Sequence, residues 1–352
     1  MSEKSYESLP VTAYFWVGTY TLPMGAGDGI YLISKRAGGD LCLHGLAARL
    51  DSPSYLLAHP QQPVLYAISE GSDELTVFDT TNPRRLQAVT RVAVPAGPCH
   101  IAFARNSSAL LISSYKTGSI SAQPITASGH PEGKQSRITG TGSGPHPIRQ
   151  RSPHAHATAV HPSGVIIGTD LGADACRLMR FHRGRLELVS SAALPTGCGP
   201  RHLVIHPTGS ILVITELGQS VLGLRLTSNR ADLELQAQSP VTSQPPDNGD
   251  LPAAIALARN GTLAYTSTRG SDVITTHSVD PDGLHLSPQA DVSSGGTWPR
   301  DLLVSTATLL VANQRSGTLT AFEPDPTTGV PRQYGRPLHI PGAAHVCAVP
   351  RC

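Results

Sequence analysis

Residues 199–226 read GPRHLVIHPTGSILVITELGQSVLGLRL. A short apolar run, 202–205, ends at the polar turn His206-Pro207. A second run, Ile211–Thr215, follows, and a glycine-bearing turn leads to a third. Short apolar runs bounded by Pro, Gly, Ser and Asp read as antiparallel strands joined by hairpins. The same unit starts at Ser52, Gly97, Ser152, Leu251 and Thr297. Its start-to-start spacings are 45, 55, 47, 52 and 46 residues. His59-Pro60 and His161-Pro162 repeat the turn after the first strand, and their imidazoles are expected to bond backbone there. No window shows a sustained helical period. A four-stranded unit recurring about every fifty residues is the signature of a β-propeller.

The two ends supply one more unit. Residues 14–21, 29–36 and 41–50 look like second, third and fourth strands without a first, and 342–349 looks like a first strand without the rest. Joined, they complete a ring that leaves only short, protected sheet edges. The predicted fold is therefore all-β: a single seven-bladed β-propeller over 14–352, with one composite blade and an N-terminal tail over 1–13. Residues 127–151 interrupt the repeat. They are polar, rich in Gly and Pro, and carry Lys134, Arg137, Arg149 and Arg151. They read as a surface excursion.

Composition narrows the function. Lys plus Arg number 27 and Asp plus Glu 25, so the net charge is +2 and no basic footprint for nucleic acid exists. No apolar run approaches the roughly 18 residues of a membrane span, and the N-terminus lacks the apolar core of a signal peptide. The six cysteines form no CxxC pair, which argues against a zinc knuckle. The expectation is a cytoplasmic protein with reduced thiols, a monomer or weak homodimer. P-loop, HExxH, GxSxG and Trp-Asp repeat motifs are absent.

In a blade, the loop leading into the first strand and the turn after the second lie on one face of the disc. Aligned positions therefore form two rings. The first reads Ser54, Cys99, His156, Arg201, Ala253 and Arg300; the second reads Glu70, Tyr115, Asp170, Glu216, Thr268-Arg269 and Asn313-Gln314, with Thr19-Tyr20 from the composite blade. The chemistry changes at every blade. Between the third full unit and the sixth, one imidazole, three guanidiniums and two carboxylates suit an anionic, oxygen-rich small molecule, because Arg grips carboxylate or phosphate with a planar fork. Glu216, flanked by arginines, is expected to stay ionised, and His156 to move protons near neutral pH. His154 and His156 share one side of a strand, but no suitably spaced third ligand accompanies them, so no metal is expected.

The stretches VGTYT…GIY, SPHAHATAVHPSG…TDLGAD, GPRHLVIHPTG…ITELGQSV, TSTRGSDVI and WPRDL…LLVANQRSGTLTAF resemble the seven-bladed propeller lactonases over residues 14–349. That family includes propeller-type 6-phosphogluconolactonases and fungal carboxymuconate cyclases. In its cyclase branch one His, two Arg and one Glu form the catalytic group, which by motif implies His156, Arg201, Glu216 and Arg269 here. The sequence departs from the family pattern at Thr268-Arg269-Gly270, where Asn-Arg-Gly is usual, and at Cys198 before GPRHL.

The resemblance implies a cofactor-free, metal-independent hydrolase that opens a sugar lactone such as 6-phosphogluconolactone. Glu216 or His156 would activate water, and Arg201 and Arg269 would hold the anionic substrate and the developing oxyanion. His154, Asp170, Arg300, Asn313, Gln314, Glu70, Tyr115 and Thr19 are expected to line the substrate. Two alternatives use the same funnel: a muconate-type lactonizing cycloisomerase, and a non-catalytic propeller that binds a small ligand or partner.

Overall fold

The structure is a computed structural model that describes residues 10–305 and 308–350. Most of the expected 1–13 tail lies outside the described residues. Seven four-stranded antiparallel sheets make up the fold. Six of them occupy 53–93, 98–139, 155–193, 200–240, 251–293 and 299–339. The seventh is the composite. Ala343–Ala348 pairs with Val11–Thr19, which pairs with Gly29–Arg36, and Leu41–Arg49 lies outermost. Its register sets Phe15 opposite Ala348 and Val17 opposite Val346.

Burial explains why second strands are continuous apolar runs. Val64–Ser69, Ile211–Thr215 and Thr308–Asn313 are buried at every residue, because each is flanked by two strands and covered by a blade on either face. Fourth strands are the polar outer rim, as in Gln87–Ala93. The apolar clusters lie between blades. Ala157, Ile167 and Leu178 of one blade interlock with Leu203, Val213 and Leu222 of the next, and Trp16, Ile30 and Leu32 interlock with Leu56, Leu65 and Phe78.

The segment 127–151 is more than a surface excursion. Ser136–Thr139 is the fourth strand of the blade at 98–139, pairing with Ser119–Pro124. Beyond it the chain folds back over the funnel face. Gln150 is fully buried and donates to the Leu171 carbonyl at 2.9 Å and to Asp174 at 2.7 Å. A four-residue polar strand carries no apolar alternation to betray it.

Deleting residues 342–350 removes the innermost strand of the composite blade and, with it, the buried Ala343, Ala344 and Val346. The inward-facing edge of Val11–Thr19 opens as well. The expected loss exceeds about 5 kcal/mol, enough to abolish a cooperative unfolding transition in a marginally stable protein. An unchanged transition in denaturant would contradict the closure of the ring.

Candidate active site

The two rings meet because each lead-in loop is hydrogen-bonded to the turn of its own blade. The Tyr115 N–H donates to Gly97 O at 2.7 Å, that of Glu216 to Gly199 O at 2.8 Å, and that of Gln314 to Trp298 O at 3.0 Å. Gly97 and Gly199 sit at φ 70° and 58°, a region glycine enters without steric cost. An aspartate of the preceding blade pins each bend: Asp73 Oδ1 accepts from the Gly97 N–H and Asp174 Oδ1 from that of Gly199, both at 2.8 Å. Trp298 makes the same bend at φ 67°, rare for a bulky side chain. Its N–H donates to Asp272 at 2.7 Å, and its ring lies against the guanidiniums of Arg269 and Arg315.

A funnel of about 260 Å³ opens there, walled by Glu70, Cys99, Tyr115, Arg149, His156, Arg201, Glu216, Arg269 and Arg300. Glu216 is its hub. Arg269 Nη2 donates to Glu216 Oε2 at 2.7 Å, Arg201 Nε lies 3.0 Å from the same oxygen, and Arg149 pairs with Oε1. Arg269 also donates to Leu251 O at 2.9 Å, and Arg201 donates to Ala253 O. On the opposite wall the Tyr20 hydroxyl donates to Glu70 at 2.6 Å, and Arg300 lies over the Tyr20 ring, 3.8 Å from the Glu70 carboxylate.

These groups are not loop residues over open water. Arg201 stands on the inner strand Pro200–Ile205 and is 5% exposed; Glu216 is 1% and His156 9% exposed. Burial raises the pKa of Glu216, but Arg269, Arg201 and Arg149 outweigh it and hold the carboxyl down at about 2. His156 is pushed well below the ordinary imidazole value, first by burial and then by Arg201, Arg300 and Arg269. The expectation that His156 changes charge near neutrality is therefore corrected: it is a neutral imidazole. Burial, then Arg269 and Arg300, also press the pKa of Arg201 downward. It remains a cation at neutral pH, and one that gains from another anionic partner.

Of the twelve residues expected in the site, the funnel gathers His156, Arg201, Glu216, Arg269, Arg300, Glu70 and Tyr115. Five stand apart. Asp170 is fully buried, ion-paired to Arg177, and accepts the backbone N–H groups of His154, Gly172 and Ala173. His154 stacks on Tyr115 with centroids 4.2 Å apart and donates Nδ1–H to the Tyr115 carbonyl. It backs the wall instead of facing the ligand. Asn313 donates to Ser294 O and Thr320 inside its blade, Gln314 reaches toward Met24 O, and the buried Thr19 hydroxyl donates to Gly29 O. Each of the three is turned to a partner that does not line the funnel; for Gln314 that partner lies on the composite blade. Arg149 was missed because it lies in 127–151, outside the repeat.

Among the described residues, no three His, Cys, Asp or Glu side chains stand where they could hold a metal ion together. His59, His161 and His206 accept backbone N–H groups of their own turns, as in Ser163 N–H to His161 Nδ1 at 3.1 Å. No helix of the described residues is long and apolar enough to cross a membrane.

Burial lowers the pKa of seven imidazoles and so makes stability depend on pH; His44 and His59 move least, the other five most. Burial places His202 and His345 at about 3 and His277 at about 4, and holds His100 and His156 well below 6.5. The unfolded chain thus binds protons that the folded chain refuses, and stability falls as pH drops below about 6.5. Each of these five contributes up to about 1.4 kcal/mol per pH unit. Asp301 acts oppositely. Burial raises it to about 7, so its contribution falls as pH rises from about 4 to 7. With five groups against one, urea titration should show lower stability at pH 5 than at pH 7. Equal stability would refute the burial of neutral imidazoles.

A closed seven-bladed propeller with an arginine-walled funnel centred on the Glu216 carboxylate defines the class. Residues 14–348 match the family model "Lactonase, 7-bladed beta-propeller", and the chain belongs to that family. It is 29% identical over 327 residues to the 6-phosphogluconolactonase of Bacillus subtilis, covering 89% of this chain and 92% of that one. Among solved structures it superposes on the periplasmic gluconolactonase PpgL of Pseudomonas aeruginosa with a TM-score of 0.86 at 25% identity, over 96% of this chain and 99% of that one. A protein from Lactobacillus plantarum shares the fold with a TM-score of 0.88 at 24% identity, over 96% and 99% of the two chains. With a periplasmic protein among these relatives, the fold itself carries no compartment.

Proposed function

We propose that the protein is a metal-independent lactonase that opens an anionic sugar lactone, 6-phosphogluconolactone or a related aldonolactone. The observation that carries this reading is the charge of the funnel. Four guanidiniums face two carboxylates, an excess of two positive charges around a neutral imidazole. Glu216 is saturated by three of the arginines, whereas Arg300 has no hydrogen bond among the described residues and Arg201 Nε–H is not aligned on an acceptor. Those unspent donors suit a phosphate or carboxylate group and the carbonyl oxygen beside it.

The electrostatics favour His156 over Glu216 as the base. A carboxylate held at about 2 is a poor proton acceptor, so Glu216 is the anchor that positions Arg201 and Arg269. His156 is uncharged and faces the funnel. An anionic substrate neutralises the arginines that depress it, so binding itself raises its basicity. His156 then takes a proton from the attacking water as oxygen adds to the lactone carbonyl carbon. The ring C–O bond breaks, and the proton passes to the departing alkoxide, giving the hydroxy acid.

Chelator-treated protein is expected to hydrolyse 6-phosphogluconolactone, read as acid release above the spontaneous rate. Activity that vanishes with chelator and returns with metal would overturn the metal-free chemistry. Ring closure of a muconate-type diene acid would favour the cycloisomerase, and tight sugar-acid binding without turnover of any lactone would favour a binding propeller.

A further inference from the structure

Beneath the funnel, on the propeller axis, lies a second cavity of about 30 Å³. That is room enough for a water molecule or a small ion. Its wall includes His100, His202, His345, Asp301, Tyr55 and Ser54, with Cys99, His156, Arg201 and Arg300 shared with the funnel. The residues follow one rule. Four of the seven innermost strands present an edge N–H that a side chain of the preceding blade accepts. Thr158 N–H donates to His100 Nδ1 at 3.4 Å, Ile255 N–H to His202 Nδ1 at 3.3 Å, and Leu56 N–H to His345 Nδ1 at 3.3 Å. Val346 N–H donates to Asp301 Oδ2 at 3.2 Å.

This capping sets the tautomer. A neutral imidazole whose Nδ1 accepts carries its proton on Nε2. The three rings therefore present Nε2–H donors, not lone pairs, which disqualifies them as a metal triad. None of these donors has a hydrogen-bond partner among the described residues; the nearest approach is His345 Nε2 to Asp301 Oδ2, at 3.7 Å. Ser54 Oγ is buried with no partner, and the Tyr55 hydroxyl has none among the described residues. A water molecule would have to donate to Asp301 or to a hydroxyl of the wall as well as accept. A monoatomic anion only accepts, and here it would also meet two guanidiniums.

We propose that this channel cavity is a binding site for one halide-sized anion, chloride under ordinary conditions, held by the Nε2–H groups of His100, His202 and His345 and by Arg201 and Arg300. Asp301 makes binding depend on protons. It is faced by Arg300 on its own strand, His345 and Cys347 on the next blade, Tyr55 beyond them and Arg201 across the channel. As a carboxylate it repels the anion; protonated, it does not. Burial places that proton at about pH 7. Affinity should then rise roughly tenfold from pH 8 to pH 6, as the competent fraction of Asp301 grows.

The test uses the whole protein and no lactone, so it is independent of the lactonase reading. Crystals soaked in bromide should show an anomalous peak on the axis between the three imidazoles. In solution, chloride should raise the melting temperature saturably, beyond the effect of methanesulfonate at equal ionic strength. Asp301→Asn should retain the chloride effect and lose its pH dependence. His100→Gln offers a carbonyl oxygen to the Thr158 N–H while changing the donor geometry, and should weaken the effect at least several-fold. No axial bromide peak, or identical responses to chloride and methanesulfonate, would overturn the proposal. A pH dependence that persists in Asp301→Asn would overturn the proton coupling.

Discussion

Replacing Glu216 with alanine is expected to cost about 3–5 kcal/mol of folding stability, the loss seen when one partner of a buried ion pair is removed. Arg201 and Arg269, each 5% exposed, would remain inside the funnel wall with no carboxylate between them. Urea titration measures the loss directly. Glu216→Gln keeps the shape and removes the charge, so it should lose a comparable amount. Formate, a carboxylate small enough to enter the space left in the alanine variant, should restore part of the stability there and none in the wild type. A loss below about 1 kcal/mol would show that the three arginines do not depend on Glu216.

Arg201→Ala should lower kcat/KM on an anionic lactone by about 2–5 kcal/mol, the effect of truncating a desolvated charge partner. This corresponds to roughly 30- to 5,000-fold in rate. The variant should still fold, since Glu216 keeps Arg149 and Arg269. Arg201→Lys should not recover the activity, because an ammonium cannot both hold the Ala253 carbonyl and present a fork to the substrate. Normal turnover by Arg201→Ala would remove this residue from the reaction.

The propeller was readable because its periodicity is enforced by burial. Each second strand is buried and largely apolar, and five of the seven lead-in bends hold a positive-φ residue (Ser52, Gly97, Gly199, Trp298 and Gly342), so the pattern repeats with the fold. The site was readable only where ring positions point at the axis. Asp170 and Glu216 are equivalent by alignment, yet Asp170 turns into its own blade to meet Arg177 while Glu216 turns across the funnel to meet Arg269. Spacing along the chain does not encode that difference. Nor does it encode Arg149, whose placement depends on how an unrepeated segment folds back. The protonation of His156 was also hidden, because it reflects the summed charge of three distant arginines together with burial.

The clusters between blades have a further consequence. Each blade contributes half of two cores and owns none, so the molecule is a closed ring of like interfaces with no privileged starting point. The strands Val11–Thr19 and Ala343–Ala348 lie side by side, and Val349 N–H donates to Tyr14 O at 3.0 Å. A circular permutant that links these strands by a short loop and is cut open in an exposed turn between the third and fourth strands of another blade, such as 80–85, would bury the same seven clusters in the same order. The cut would move the weak edge to a new blade and leave the arginine funnel on the face where it began.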